Sequence, residues 1–190
     1  MTKLIYWELQ DPDESTCGVH SINAILQGPI VDYEELYRAS LEIEELERQF
    51  LLEAGIIPDE YYKTENAHHR RTAFDFTALE RVLGNHNYIC ERCKTNSLSH
   101  EQIDSSIAFL CNVSGHWLSM REVHDGRWFV IDSLKTGPIE LDKANLYNHI
   151  NEIILRNQSV FIVKNKDNKE LPVYTHQEGK LRKHQRYTEI

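Results

Sequence analysis

The stretch that decides the fold is residues 10–28, which read QDPDESTCGVHSINAILQG. It opens as a polar turn and changes at Ser15 and Thr16 to apolar residues at helical spacing, which predicts a short helix with one face in a core. Ser15 or Thr16 is a suitable N-cap, and Gly28 is a suitable C-terminal stop. Cys17 is therefore predicted to lie in the first turn of this helix.

A thiol at the start of a helix lies in the field of unpaired backbone N–H groups and of the positive end of the helix dipole, which favours the thiolate. Gln10, seven residues upstream of Cys17, is a candidate donor to the oxyanion that forms when a carbonyl group is attacked. The alternative is that Cys17 is a small buried apolar residue and Gln10 a surface amide, because free cysteines are commonly buried. The stretch alone leaves both interpretations open.

Length and composition indicate one soluble domain with appendages, since the chain has 190 residues of which 41% are hydrophobic and 27% charged. The net charge of -9 argues against nucleic acid as a partner and suits a basic protein surface. No apolar run reaches the roughly 20 residues that a membrane span needs, and the first residues lack the apolar core of a signal peptide. We expect a monomer without a membrane partner.

The four cysteines, of which Cys90 and Cys93 form a C-x-x-C pair, are too few and too unevenly placed for a disulfide framework, which indicates a reducing compartment. His86 and His100 lie near that pair, but no second ligand pair with zinc-site spacing follows. We therefore expect two partly buried cysteines at the end of a strand, and neither a metal nor a cofactor.

Two further helices are predicted in the first third of the chain: one capped by Asp32, and an amphipathic one from Leu41 to Gly55. Later elements are predicted at 74–83 (helix), 88–90 (strand), 107–113 (strand), 141–154 (helix) and 159–163 (strand). The region 166–190 differs in charge from the rest: residues 165–190 carry six basic and four acidic residues, a net +2 against -11 elsewhere. It is predicted to be a tail or a docked helix at about 180–188.

Residues 116–133 carry a hairpin signal, two aromatic and β-branched runs joined by three residues that end in glycine. A three-residue loop pairs Val123 with Arg127. In that register His116 and Asp132 are diagonal neighbours on one face, with Cβ atoms about 7 to 8 Å apart, within reach of an imidazole and a carboxylate.

A two-residue loop at Asp125-Gly126 would instead put the imidazole and the carboxylate on opposite faces of the hairpin. The catalytic interpretation therefore requires the longer loop, with Gly126 in the left-handed conformation.

Together these residues form a complete set for acyl transfer through a thioester. Cys17 attacks, His116 takes and returns the proton, and Asp132 orients the imidazole and stabilises its charged form. Gln10 and the Cys17 backbone N–H receive the oxyanion. His20 is a rival base, but it lies one turn along the same helix from Cys17, where its geometry is poor.

The order of these motifs resembles the Josephin family of cysteine deubiquitinases, the catalytic domain type found in ataxin proteins. The resemblance covers about residues 4–165 and is carried by Gln10, the block from Cys17 to Gly28, Gly115-His116-Trp117, and the block from Trp128 to Pro138.

The resemblance implies a papain-like α+β fold with a catalytic domain over 1–165. A helical subdomain with a projecting helical hairpin, at about 36–66, packs against a mostly antiparallel sheet. The implied activity is hydrolysis of the bond after the ubiquitin C-terminal Gly-Gly. Ataxin-type members often have asparagine where this chain has Asp132, and the turn from Gln10 to Cys17 is about two residues longer here.

The implied partner is ubiquitin or polyubiquitin, with candidate contact residues Phe76, Thr77, Ile30, Val31 and Trp117. The implied location is the cytoplasm or nucleus, or the host cytosol if a bacterium makes the protein. Two other functions fit the same residues: a non-catalytic ubiquitin-binding module, and a Cys-His-Asp acyl transferase acting on small thioesters.

Overall fold

The computed structural model describes residues 4–58, 74–94, 97–123, 126–166 and 185–190. The strands in this part of the chain are β1 Leu4–Glu8, β2 Tyr88–Arg92, β3 Ala108–Val113, β4 His116–Val123, β5 Arg127–Ile131, β6 Ile139–Leu141, β7 Ser159–Asn165 and β8 Gln185–Glu189. The helices are α1 Cys17–Leu26, α2 Tyr33–Glu53, α3 Phe76–Asn85, α4 His100–Asp104 and α5 Lys143–Leu155.

Six strands form one sheet in the order β2-β7-β3-β4-β5-β6, and all of its neighbouring pairs are antiparallel. Helices α1, α2 and α3 pack with one face of this sheet around a common apolar core. Helix α5 packs on a second core with strands β3, β4, β5 and β7. The predicted α+β class with a helical side against a mostly antiparallel sheet is confirmed.

The hairpin that carries His116 has the predicted register. Val123 pairs with Arg127, and Gly126 has a φ of +75°, the left-handed conformation that the longer loop requires. Residues 124–125 of the turn lie outside the described residues. Because side chains alternate along a strand, this register brings the ends of β4 and β5 together with the predicted faces aligned.

The prediction of two separate helices before Gly55 is wrong. Helix α2 runs without a break from Tyr33 to Glu53, because no glycine or proline interrupts the chain at residues 38–40. Its N-cap is Asp32, as predicted, whose side chain accepts a hydrogen bond from the Glu35 backbone N–H. The second half of the predicted arm, residues 59–66, lies outside the described residues.

The prediction of a tail or docked helix at the C-terminus is wrong for residues 185–189, which form strand β8. This strand pairs with β1 in a separate two-stranded antiparallel sheet. Trp7 Nε1 donates a hydrogen bond to Thr188 Oγ1 over 2.9 Å, and the rings of Tyr6 and Tyr187 contact edge to face. Pairing with a distant strand outweighs the local charge pattern.

Within the described ranges, no helix has the length and apolar character to cross a membrane.

Candidate active site

Cys17 is the first residue of α1, a helix whose residues are all buried. The helix packs against β4, and Cys17 belongs to the same apolar core as Trp117. The thiol is therefore enclosed by the protein on most sides. Burial agrees with the alternative of a packed cysteine, so its hydrogen-bond partners distinguish the two interpretations.

His116 opens β4 directly after a tight turn. Ser114 and Gly115 both have positive φ, of 53° and 84°, which is the backbone of a two-residue hairpin turn between β3 and β4. Asp132 follows the last residue of β5, on the neighbouring strand. His116 Nε2 and Asp132 Oδ1 are 2.7 Å apart, a charge-assisted hydrogen-bond distance. The predicted imidazole–carboxylate contact is present.

The other side of the His116 ring contacts Cys17, whose side chain is hydrogen-bonded to it. Since Nε2 is engaged with Asp132, the ring nitrogen that faces the thiol is Nδ1. The structure thus brings Cys17 to His116 and Asp132, which follow it by about a hundred residues in sequence. Sulfur, imidazole and carboxylate form one continuous hydrogen-bonded series.

The surroundings favour the charged forms of all three groups. Burial raises the pKa of the Cys17 thiol, but hydrogen bonds from His116 and from the Trp117 and Gly18 backbone N–H groups outweigh burial and leave the pKa lowered. The hydrogen bond to Asp132, together with the one to Cys17, raises the pKa of His116 to about 9.

The carboxyl group of Asp132 is affected in the same way. Burial raises its pKa, but hydrogen bonds from His116 and from the Leu134 backbone N–H, 3.0 Å from Oδ1, outweigh burial and leave the pKa lowered. These directions describe a thiolate–imidazolium pair supported by an ionised carboxylate, the state from which a cysteine nucleophile attacks.

Gln10 is buried, so the alternative of a surface amide is wrong. Its side-chain Nε2 donates to the Glu14 carbonyl, and its Oε1 accepts from Ser133 Oγ over 3.0 Å. Its backbone N–H also donates to the Ser133 carbonyl over 2.8 Å. These contacts tie Gln10 to the segment that follows Asp132 and, within the described residues, do not include Cys17.

Two contributors to the site were not predicted from sequence. Ser133 fixes Gln10, and the backbone N–H of Trp117 donates to the Cys17 sulfur. Ser133 could have been suspected because it directly follows Asp132 in sequence. The Trp117 backbone N–H could not, because a backbone donor leaves no trace in the pattern of side chains.

The candidate ubiquitin contacts divide by exposure. Val31 and Trp117 are 3% and 4% exposed, so their prediction as surface contacts is wrong. Val31 packs in the core beside α1, and the Trp117 indole N–H donates to the Phe74 carbonyl. Phe76 is half-buried because its ring stacks on Phe161. The exposed members of the set are Thr77, on α3, and Ile30, in the loop after α1.

The C-x-x-C pair lies at the end of β2, where Cys90 is buried and Cys93 partly buried. Burial raises the pKa of the Cys90 thiol to about 12, which disfavours the thiolate that a metal would need. Within the described ranges, no group of three or more histidine, cysteine or acidic residues is placed to hold a metal ion.

A thiol at a helix N-terminus, in series with an imidazole and a carboxylate at the end of an antiparallel sheet, is the arrangement of papain-like cysteine hydrolases. The Josephin family model matches residues 13–164, most of the chain, and the chain belongs to that family. Its fold is the papain-like α+β fold of the family, and this membership supports a function of the deubiquitinase class.

Comparison with curated proteins gives relatives of the same type. The chain is 28% identical to an ataxin-3 homolog of Arabidopsis thaliana over 184 residues, which cover 93% of this chain and 64% of the relative. It is 25% identical to ataxin-3 of Homo sapiens over 157 residues, covering 79% and 43%. An ataxin-3 homolog of Caenorhabditis elegans is 22% identical, with coverage of 84% and 49%. The chain thus spans between 43% and 64% of the length of these relatives.

Proposed function

We propose that the protein is a thiol-dependent deubiquitinase, which hydrolyses the bond after the C-terminal glycine of ubiquitin through a Cys-His-Asp triad. The observation that carries the proposal is the continuous hydrogen-bonded series from Cys17 through His116 to Asp132. Membership of the Josephin family supports ubiquitin as the acyl group that this series acts on.

In the first step the Cys17 thiolate attacks the carbonyl carbon of the terminal glycine, and a carbon–sulfur bond forms. The imidazolium of His116 gives its Nδ1 proton to the departing lysine amine as the carbon–nitrogen bond breaks. Ubiquitin is then held as a thioester on Cys17, and the neutral imidazole still donates from Nε2 to Asp132.

In the second step the neutral His116 takes a proton from a water molecule, whose oxygen attacks the thioester carbonyl. The carbon–sulfur bond breaks, Cys17 returns to the thiolate, and ubiquitin leaves as a carboxylic acid that gives its remaining proton to solvent. The ion pair that began the cycle is restored. Asp132 remains ionised throughout and keeps the ring of His116 oriented toward the sulfur.

The negative oxygen that forms in both steps needs donors that are already in place. We propose the Cys17 backbone N–H, at the open end of α1, and the side-chain amide of Gln10 for this role. One hydrogen of Gln10 Nε2 is engaged with the Glu14 carbonyl, and a primary amide carries a second one.

Helix α2 offers a surface for the folded part of ubiquitin. The helix carries seven glutamates and two arginines, a net charge of -5, and among its exposed apolar side chains are Leu46 and Phe50. Such a surface suits a basic-rimmed apolar face, which we propose ubiquitin presents, with Thr77 and Ile30 as further contacts. We also propose that the protein acts as a monomer in a reducing compartment, where Cys17 stays reduced.

The test is reaction with an electrophilic probe at the C-terminus of ubiquitin. The native protein should be labelled once, Cys17→Ala and His116→Ala should lose labelling almost completely, and Asp132→Ala should lose less. Cys93→Ala is the matched control, because Cys93 is a partly exposed thiol outside the site, and it should be labelled like the native protein.

Binding of ubiquitin without labelling would favour a non-catalytic ubiquitin-binding module over the proposal. Labelling of Cys17 by small acyl donors but not by the ubiquitin probe would favour an acyl transferase. Full labelling of Cys17→Ala would exclude this site altogether.

A further inference from the structure

A buried polar cluster lies beside α1, at its junction with β1. Its centre is the carboxylate of Glu8, 6% exposed, which receives three donors. His20 Nδ1 lies 2.5 Å from Oε2, and Asn23 Nδ2 lies 3.2 and 3.3 Å from the two oxygens. The hydroxyl of Tyr6 donates to Oε1. The carboxylate is thus compensated by hydrogen bonds, as a buried charge must be.

The cluster reaches the nucleophile through His20, which is 8% exposed. A carboxylate only accepts hydrogen bonds, so Nδ1 of His20 is the donor to Glu8 and carries a proton. The opposite ring nitrogen, Nε2, is 2.9 Å from the hydroxyl oxygen of Thr16. Thr16 directly precedes Cys17 in sequence and occupies the N-cap position of α1.

Thr16 differs from the N-caps of three other helices in the molecule. Asp32, Asp75 and Asp142 have extended backbones, and the side chain of each accepts from the backbone N–H three residues later. Thr16 has φ −106° and ψ 8°, and its side chain makes no capping hydrogen bond. Its hydroxyl is turned to His20 instead.

The donors left uncapped by Thr16 are those nearest the thiol. A capping side chain accepts from the second or third N–H of the helix, which here belong to Gly18 and Val19. The Gly18 N–H instead donates to the sulfur of Cys17. A capping oxygen on residue 16 that accepted from the Gly18 N–H would therefore compete with the thiolate for this donor.

We propose that Glu8 and His20 are positioning residues that hold the Thr16 hydroxyl away from the first turn of α1, so that the backbone N–H groups of this turn remain for the Cys17 thiolate. The benefit to catalysis rests on the proposed function. The arrangement itself is tested by alkylation of Cys17, which needs no ubiquitin.

The experiment measures the rate of alkylation of Cys17 by iodoacetamide across a pH series, following the peptide that contains Cys17 by mass spectrometry. Asparagine caps helices well, so Thr16→Asn should raise the midpoint of the profile by about one pH unit. Thr16→Val is the matched control, because it keeps the β-branched shape without a group that caps, and its midpoint should equal that of the native protein.

A second pair of variants tests the role of His20. His20→Phe frees the Thr16 hydroxyl to cap the helix, so the midpoint should rise as in Thr16→Asn. Adding Thr16→Val to His20→Phe should return the midpoint to the native value. If the role of His20 is merely structural, the alkylation midpoint of the double variant should stay as high as that of His20→Phe alone. Among the described residues the charged group that faces Cys17 is His116, paired with Asp132, and all variants retain both.

A native midpoint in Thr16→Asn, or a rise in Thr16→Val as large as in Thr16→Asn, would overturn the inference. If circular dichroism shows that His20→Phe does not fold, the comparison of Thr16→Asn with Thr16→Val still tests the inference. If the alkylation profiles shift as expected but the ubiquitin probe does not label the protein, the proposed function is refuted and the role of Thr16, His20 and Glu8 is supported. If the probe labels the protein but the profile of Thr16→Asn equals the native one, the proposed function is supported and this role is refuted.

Discussion

Replacing Asp132 by asparagine isolates the charge of the carboxylate from its geometry. Asparagine has almost the same volume, and its Oδ1 can still accept from His116 Nε2 and from the Leu134 backbone N–H. The only large change in Asp132→Asn is the loss of one negative charge beside the imidazolium. The effect on the pKa of His116 therefore measures what that charge contributes.

The size of the effect follows from the distance and the exposure of the pair. Two unit charges 2.7 Å apart attract by about 6 kcal/mol at an effective dielectric constant of ~20, which is a ceiling. The side chains of His116 and Asp132 are 22% and 14% exposed, so solvent screens part of this attraction. An opposite charge at such range shifts a pKa by about 1–3 units. We expect the pKa of His116 to fall from about 9 by about one to two units in Asp132→Asn.

The pH range of activity should then narrow from its alkaline side. Activity needs the thiolate of Cys17 and the imidazolium of His116 together, so the upper limb follows the pKa of His116 and moves to lower pH in Asp132→Asn. The lower limb follows the Cys17 thiol, which keeps its imidazolium partner as long as the pH is below the pKa of His116, so this limb should move much less.

The assay is hydrolysis of a fluorogenic amide at the ubiquitin C-terminus, measured as kcat/KM across pH. Asp142→Asn is the matched control, since it makes the same chemical change at the N-cap of α5, where asparagine also caps. It should leave both limbs unchanged. An upper limb that stays near the native position in Asp132→Asn, or that moves equally in both variants, would refute the reasoning.

Three further predictions concern stability, each measured by urea unfolding. Gly126→Ala places a Cβ atom at a φ of +75° and should lower the free energy of unfolding by about 1 kcal/mol. Thr188→Val removes the acceptor of the Trp7 indole N–H and should cost about 1 kcal/mol, with the midpoint rather than the slope of the transition changing. The variant Cys17→Ala has no thiol beside His116, and His116 still pairs with Asp132. Because the pairing with Asp132 still raises the pKa of His116 above its ordinary value of 6.5, its stabilisation is complete below about pH 6.5 and is lost as the pH rises through that raised pKa, which lies below the native value of about 9 without the contribution of Cys17. The urea midpoint should fall over this range, and adding Asp132→Asn should flatten the fall.

The parts of the site that could be predicted from sequence are those set by short-range rules. The register of the hairpin follows from the alternation of side chains and from the left-handed Gly126, so the His116–Asp132 contact is predictable from the sequence alone. The same alternation places Trp117 on the face of β4 opposite to His116. Its side chain therefore points into the core rather than to a partner.

The parts that could not be predicted depend on residues far apart in sequence. Strand β1 is formed with β8, which lies about 180 residues away, and nothing near either strand indicates the pairing. Pairing of that kind outweighs the local charge pattern, on which the prediction of a tail or docked helix at the C-terminus is based. The contact of the Thr16 hydroxyl with His20 has a shorter range, since the two residues are four positions apart, but the other side of the His20 ring is bound by Glu8 of β1, which the sequence around Thr16 does not indicate.

The link between Gln10 and Ser133 joins the two halves of the candidate site. Gln10 lies on the segment that leads from β1 to the nucleophile, and Ser133 follows the carboxylate of Asp132. Flipping the Gln10 amide would put its oxygen against the Glu14 carbonyl and its nitrogen against the Ser133 hydroxyl, so the observed orientation is the one that satisfies both partners. That orientation leaves the second Nε2 hydrogen for the proposed role as an oxyanion donor. A shift of either half would therefore disturb the proposed triad and the proposed oxyanion donor together. The amide of Gln10 is fixed from both sides, by Glu14 within the turn that leads to Cys17 and by Ser133 after Asp132.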